Sequence, residues 1–315
     1  MTTPVLQVES VSRSFGDIRA VDRISFEVFA GQVVGFIGAN GAGKTTTMRM
    51  MAMLDLPDSG VIRIGGLDTA LHGRSLRPRI GWMPDQYGTY EQMTVIEYLD
   101  FFARSYQLRG EDRTERVRDV MEFIDLAPLA DRFIDTLSKG QSQRLCLGRT
   151  LIHDPDILIL DEPAAGLDPK ARVEFKHYVR VLAEEGKTIF ISSHILSELE
   201  DMSDSLLMID KGAIIHHGSA DTLVTPSGTE VIVDIKVTEG DERLREWLPQ
   251  QPHTEVLEGL KQGASIRFQG TESQLVELLR ALLRDGFLVT DFHRRERKLE
   301  DAFIEVLQRT NQGQK

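Results

Sequence analysis

A single cysteine, Cys146, stands among 315 residues. An internal disulfide is therefore excluded, and the usage fits a reducing compartment. Long apolar runs are missing too: nothing approaches the ~18 uninterrupted apolar residues of a membrane span. The opening Met1-Thr2-Thr3-Pro4-Val5 has no basic stretch followed by an apolar one, so no secretory leader is expected. Positive charge is also scarce, with 37 Lys and Arg against 49 Asp and Glu, a formal net charge of −12. That balance argues against a nucleic-acid partner, which needs a basic face. The expectation is a soluble cytoplasmic chain, long enough for two domains, that reaches a membrane only through a partner.

What is present concentrates in one string. Gly38-Ala39-Asn40-Gly41-Ala42-Gly43-Lys44-Thr45 has the form G-x-x-x-x-G-K-[ST] of a phosphate-binding loop. The apolar run Val33-Val34-Gly35-Phe36-Ile37 before it reads as a buried strand. Thr45 to Leu54, which includes Thr46 and is free of Gly and Pro, reads as a helix. A strand, loop and helix in this order aim several backbone N–H groups and a positive helix end at one spot, which suits a polyphosphate. Lys44 would reach the β- and γ-phosphates, and the Thr45 hydroxyl would ligate Mg²⁺.

Residues 5–29 alternate in strand fashion around the turn Phe15-Gly16-Asp17, which predicts a small antiparallel sheet. A short strand is expected near Val61 to Ile64. From Thr94 to about Leu151 the pattern is helical, with Tyr98, Phe101, Phe102 and Tyr106 at spacings of three and four. Asp156-Ile-Leu-Ile-Leu-Asp161 and Thr188-Ile-Phe-Ile-Ser-Ser193 read as buried strands. The expected fold is α/β, a mostly parallel sheet with an antiparallel β subdomain and a helical insertion over about 87–150, together spanning 1–225. Past the turn-rich Val224-Thr-Pro-Ser-Gly-Thr229, the reading is strand 230–237, helix 241–248, strands 253–258 and 264–269, helix 272–285, strand 287–293 and helix 298–309. That order matches a ferredoxin-like α+β domain over 230–315.

Asp161 and Glu162 end an apolar strand at the sheet edge where α/β folds bind ligands. Asp161 is suited to Mg²⁺ through its water shell, and Glu162 to orienting or deprotonating water. Ser138 reads as a helix N-cap. The histidines 72, 153, 177, 216 and 217 read as structural. Met48, Met50, Met51 and Met53 read as core.

Leu137-Ser138-Lys139-Gly140-Gln141, Asp161-Glu162, Gly166-Leu167-Asp168 and His194 follow the phosphate loop in order. Over about residues 4–225 the chain resembles the nucleotide-binding subunit of an ATP-binding-cassette (ABC) transporter, a P-loop NTPase. By analogy these segments are its signature, Walker B, D-loop and switch-histidine motifs. The resemblance implies an ATPase using ATP and Mg²⁺, with Lys44, Glu162 and His194 in catalysis. It implies a head-to-tail dimer with a second copy or a homologous subunit, in which Ser138, Gly140 and Gln141 touch the partner's ATP. Lys139 stands where the family usually has Gly. Phe15 is a candidate to stack on adenine, the other reading being a core Phe of the small sheet. The family's metal-contacting Gln falls on Asp85 or Gln86, and which of them faces Mg²⁺ stays open. An integral membrane permease is implied, docking near Tyr87, Tyr90 and Met93. Lys298-Leu299-Glu300-Asp301-Ala302-Phe303 resembles the closing motif of export-type members. The other classes weighed are a non-transport cassette protein and a weakly hydrolysing regulatory module. A single cassette and the acidic balance weigh against the first; intact Lys44, Asp161, Glu162 and His194 weigh against the second, with Asp85 pointing the other way.

Overall fold

Alternating apolar and polar residues draw the N-terminal segment into a hairpin. In the computed structural model, which describes residues 3–85, 88, 92–200, 202–219 and 230–295, β1 (Leu6–Phe15) and β2 (Ile18–Val28) pair antiparallel across the expected turn. β3 (Val33–Ile37) follows, and α1 (Lys44–Met51) begins on the lysine of the phosphate loop. The helix stops short of the expected Leu54 because Met53 turns left-handed at φ 57°. The Leu54 N–H then closes back on the Arg49 carbonyl at 2.9 Å, a C-terminal turn of the Schellman kind. β4 (Ser59–Ile64) and β5 (Leu67–Asp68) complete a sheet ordered β2-β1-β4-β5, and α2 (Thr69–Leu76) leaves it.

The main sheet runs β10-β9-β3-β8-β7-β6. Its strands are β6 (Ile80–Met83), β7 (Ile157–Leu160), β8 (Thr188–Ser193), β9 (Ser205–Asp210) and β10 (Ala213–Gly218), with β3 in the middle. All pairings are parallel except the β9–β10 hairpin. Every residue of β3, β7 and β8 is buried. That is why these strands read as unbroken apolar runs. β9 and β10 are additions to the sequence expectation. They flank β3 on the side away from β8, and α6 (Pro169–Glu184) and α7 (Leu196–Glu200) join the strands around them. Met48, Met50 and Met51 lie fully within the core shared by the two sheets, as expected.

The helical segment builds a core of its own from α3 (Val95–Ser105), α4 (Gly110–Phe123) and α5 (Lys139–Leu151). Thr94 and Glu97 form a reciprocal capping box at the start of α3, an arrangement that contributes about 1 kcal/mol. Tyr98 and Leu99 are fully buried there, and Met93 packs half-buried against the same cluster. Gln86, Tyr87 and Tyr90 lie outside the described residues. On α5, burial pushes the Cys146 thiol up to about 11, against the lowering charge of Arg149. At pH 8 about one thiol in a thousand would then be ionised. Alkylation by iodoacetamide at that pH should be at least roughly 100-fold slower for the folded chain than in guanidinium. Equal rates would show that this helix opens freely.

The chain divides into two compact units near residue 220. The second contains β11 (Glu230–Val237), α8 (Asp241–Trp247), β12 (Thr254–Leu260), β13 (Gly263–Gln269), α9 (Glu272–Arg284) and β14 (Val289–Arg294). Its sheet is antiparallel throughout, in the order β12-β13-β11-β14. Leu244, Leu275, Leu278 and Leu282 from the helices meet Val233, Ile235, Ile266 and Phe268 from the strands in one core. The expected helix 298–309 and the Lys298–Phe303 motif lie outside the described residues.

Candidate functional site

The phosphate loop keeps its shape because two glycines stand where a side chain has no room. A Cβ on Gly38 would come within 2.5 Å of the Ile209 carbonyl on β9. One on Gly43, at φ 111°, would come within 2.4 Å of the Ala20 carbonyl on β2. The loop is thus pressed between the sheet edge and the hairpin. It opens onto a cleft of about 470 Å³ lined by Ala20, Ala39, Asn40, Gly41, Gly43, Lys44, Thr45, Thr46, Asp85, Glu162, Ala165 and His194. Gly38 and Ala42 shape the loop from behind, Gly38 through a carbonyl that accepts from Lys44 Nζ at 2.7 Å.

Lys44 is buried, and its ammonium also lies 3.2 Å from Glu162 Oε1. The other Glu162 oxygen, Oε2, is 2.7 Å from His194 Nδ1 and accepts the His194 backbone N–H at 3.3 Å. Glu162 itself is left-handed at φ 48°. For a residue with a Cβ that conformation costs on the order of 1–3 kcal/mol and persists only where the surroundings fix it. Here the Glu162 N–H donates to Ser192 Oγ at 2.8 Å, and the Glu162 carbonyl accepts from the Ala165 N–H at 3.1 Å.

Asp161 is almost wholly buried at the end of β7. Its Oδ2 accepts from Thr45 Oγ1 at 2.8 Å and its Oδ1 from Ser192 Oγ at 2.7 Å. Burial pushes its carboxyl above the usual range. The Ser192 and Thr45 hydrogen bonds oppose that, and the nearby charges of Glu162 and Asp85 add to it. Ser192 is the residue that motif reading overlooks. It serves both carboxylate residues, because the β7–β8 register pairs Leu160 with Ile191 and so sets Ser192 beside Asp161. Its only trace in the sequence is a hydroxyl closing an apolar strand, where a buried O–H must find a partner.

Ser138 caps α5: its Oγ accepts from the Gln141 N–H at 3.3 Å, and Gln141 Oε1 accepts from the Ser138 N–H at 2.9 Å. The Gln141 side chain is thereby occupied in a capping box. Ser138, Gly140 and Gln141 are not among the residues lining their own chain's cleft. Phe15 is 50% exposed, which overturns its alternative reading as a core residue, and the Arg13 guanidinium carbon lies 4.9 Å from its ring centre. It does not line the cleft either. Asp85 does, while Gln86 lies outside the described residues.

A family model described as "ABC transporter" matches residues 21–165. The chain is 37% identical over 241 residues to the Nod factor export ATP-binding protein I of Ralstonia nicotianae, covering 76% of this chain and 74% of that protein. It is 36% identical over 307 residues to the protein of the same name from Cupriavidus metallidurans, covering 96% of this chain and 97% of that one. Among solved structures, an ATP-binding subunit of an ABC transporter matches with a TM-score of 0.63 and 28% identity, covering 70% of this chain and 91% of that one. Among the described residues no helix is long and apolar enough to cross a membrane.

Proposed function

The chain belongs to the ABC transporter ATP-binding proteins, a family of transporter ATPases, and on that premise we propose that it is the subunit that hydrolyses ATP to drive a separately encoded membrane permease. The observation that carries the assignment of the site is the meeting of Lys44, Glu162 and His194 in one cleft, with Thr45 and Asp161 bonded beneath them. Lys44 and the loop N–H groups bind the phosphates. Glu162 orients the attacking water and accepts its proton, while His194 holds Glu162 and faces the transferred phosphate.

The donor set also fits a hard cation, since Thr45, Asp161 and Asp85 offer only oxygen ligands. Mg²⁺ held by Thr45 and Asp161 would neutralise phosphate charge and favour the charged form of the Asp161 carboxyl, which burial disfavours. Asp85 is the described candidate for the further metal contact; Gln86 shares the proposal.

Because Ser138, Gly140 and Gln141 stand outside their own cleft, we assign them to the ATP of a second copy or a homologous subunit, in a head-to-tail dimer with two shared sites. Phe15 is proposed as the adenine platform, its exposed ring being free of core packing. The permease is proposed to dock on the cytoplasmic face of the membrane near Tyr87, Tyr90 and Met93. Export is the favoured direction, on the names of the relatives and the Lys298–Phe303 motif. The second unit is proposed as a ferredoxin-like accessory domain, supported by its βαββαβ order and single-cored antiparallel sheet.

Ser138→Arg tests the shared site. It should abolish ATP-dependent dimerisation in gel filtration while leaving nucleotide binding by the monomer within about twofold of the parent. Equal loss of both would mean that Ser138 serves its own chain.

A further inference from the structure

Behind the turn that carries His194, a buried carboxylate joins two loops that the sequence keeps apart. Glu198, in α7, is 4% exposed. A charge at that depth requires partners. Its Oε2 accepts from Ser193 Oγ at 2.6 Å, and its Oε1 lies 3.2 Å from Arg172 Nε. Ser193 is buried at the end of β8, and its Oγ accepts the Ile195 N–H at 2.9 Å, closing the turn on either side of His194. Arg172 stands in the first turn of α6. Its Nη2 donates to the Leu167 carbonyl at 3.3 Å, in the loop that runs from Glu162 to the helix. Lys176, one turn further along, donates to the Ser197 carbonyl at 3.3 Å.

The result is a closed circuit. Glu162 begins a loop whose far end is held by Arg172; Arg172 holds Glu198; Glu198 holds Ser193; and the next residue, His194, returns to Glu162 at 2.7 Å. Packing alone does not call for an ion pair here, because an apolar pair of similar volume is commonly as stable in a buried position. What the charged pair adds is geometry. One carboxylate oxygen accepts from the Ser193 hydroxyl and the other faces the Arg172 guanidinium as an ion pair, so the Gly166–Asp168 loop and the histidine turn are tied to the same buried charge.

We propose that Arg172 and Glu198 are positioning residues for ATP hydrolysis, which set His194 against Glu162 and tie that placement to the loop Gly166-Leu167-Asp168. This rests on the assignment of Glu162 and His194 to hydrolysis. It extends the site to two residues that stand outside the cleft and touch no reacting group.

The test is a double-mutant cycle on the full chain, read as kcat and KM for MgATP. Glu198→Gln keeps size and an acceptor for Ser193 but removes the charge facing Arg172. Ser193→Ala breaks the same circuit from the other side, so the test survives if one variant folds poorly. Either should lower kcat by roughly tenfold, the scale for a displaced supporting group. KM should stay within about twofold, because the phosphate loop is untouched. In a His194→Ala background neither substitution should have any further effect, since they act through that ring. Losses that multiply in the His194→Ala background, or a parental kcat in both single variants, would overturn the bridge. If His194→Ala alone turns over at the parental rate, the assignment of the histidine fails, and the bridge with it. If His194→Ala is slow while Glu198→Gln and Ser193→Ala are not, the bridge alone fails.

Discussion

Glu162→Gln is expected to lower steady-state ATP turnover by about 10²–10⁴-fold, the usual scale for a positioned proton acceptor. The substitution preserves length and a hydrogen-bonding oxygen, so the contact with His194 Nδ1 at 2.7 Å has a replacement. What disappears is the basic oxygen, and with it the negative charge 3.2 Å from Lys44. That second loss gives the prediction a sign that a general weakening of the site would not share. In the proposed roles Glu162 and phosphate would compete for the Lys44 ammonium, so removing the Glu162 charge should leave ATP affinity unchanged or raise it. Phosphate release and equilibrium titration with a non-hydrolysed analogue read the two effects separately. Parental turnover, or a matched fall in affinity, would remove Glu162 from the role of base.

Lys44→Ala should act in the opposite sense. The ammonium is the cation beside the loop, buried against the Gly38 carbonyl and facing Glu162. Without it the cleft keeps Asp85 and Glu162 and loses the charge that offsets them. Affinity for ATP should fall by roughly 10²-fold or more, about 3 kcal/mol or more of charge-assisted bonding. Calorimetric titration with MgATP measures it. An affinity within threefold of the parent would mean that the loop N–H groups carry binding by themselves.

The phosphate loop was legible in the sequence because its chemistry is contiguous: the glycines, Lys44 and Thr45 fall within Gly38–Thr45. The carbonyls of Ile209 and Ala20 that leave Gly38 and Gly43 no room for a Cβ are distant in the chain and add a reason that only the fold shows. Strands β3 and β8 were legible for a related reason, as short apolar runs buried on every residue. In the second unit, the elements from β11 to β14 fall within about two residues of the sequence reading, helped by signals such as the Thr271–Gln274 capping box that starts α9. Elements whose identity depends on neighbours were less accessible. β9 is buried beside β3, and β10 exists as its antiparallel partner, so neither declares itself without the sheet. Ser192 acquires its function from the parallel register between β7 and β8, which no spacing along the chain encodes. Arg172 and Glu198 meet across the gap between two helices. Residues that act by touching the phosphates are written in motifs; the residues that hold them in place depend on the fold.

In the proposed mechanism two cassettes enclose ATP between the phosphate loop of one and the signature helix of the other. The most direct test is the mass of the Glu162→Gln chain with MgATP, by gel filtration with light scattering, together with the bound nucleotide. A head-to-tail dimer predicts a species of twice 35.5 kDa that retains one ATP per chain and dissociates when Ser138→Arg is added. A particle of 35.5 kDa that holds ATP at saturation would contradict it, because each chain would then complete its own site.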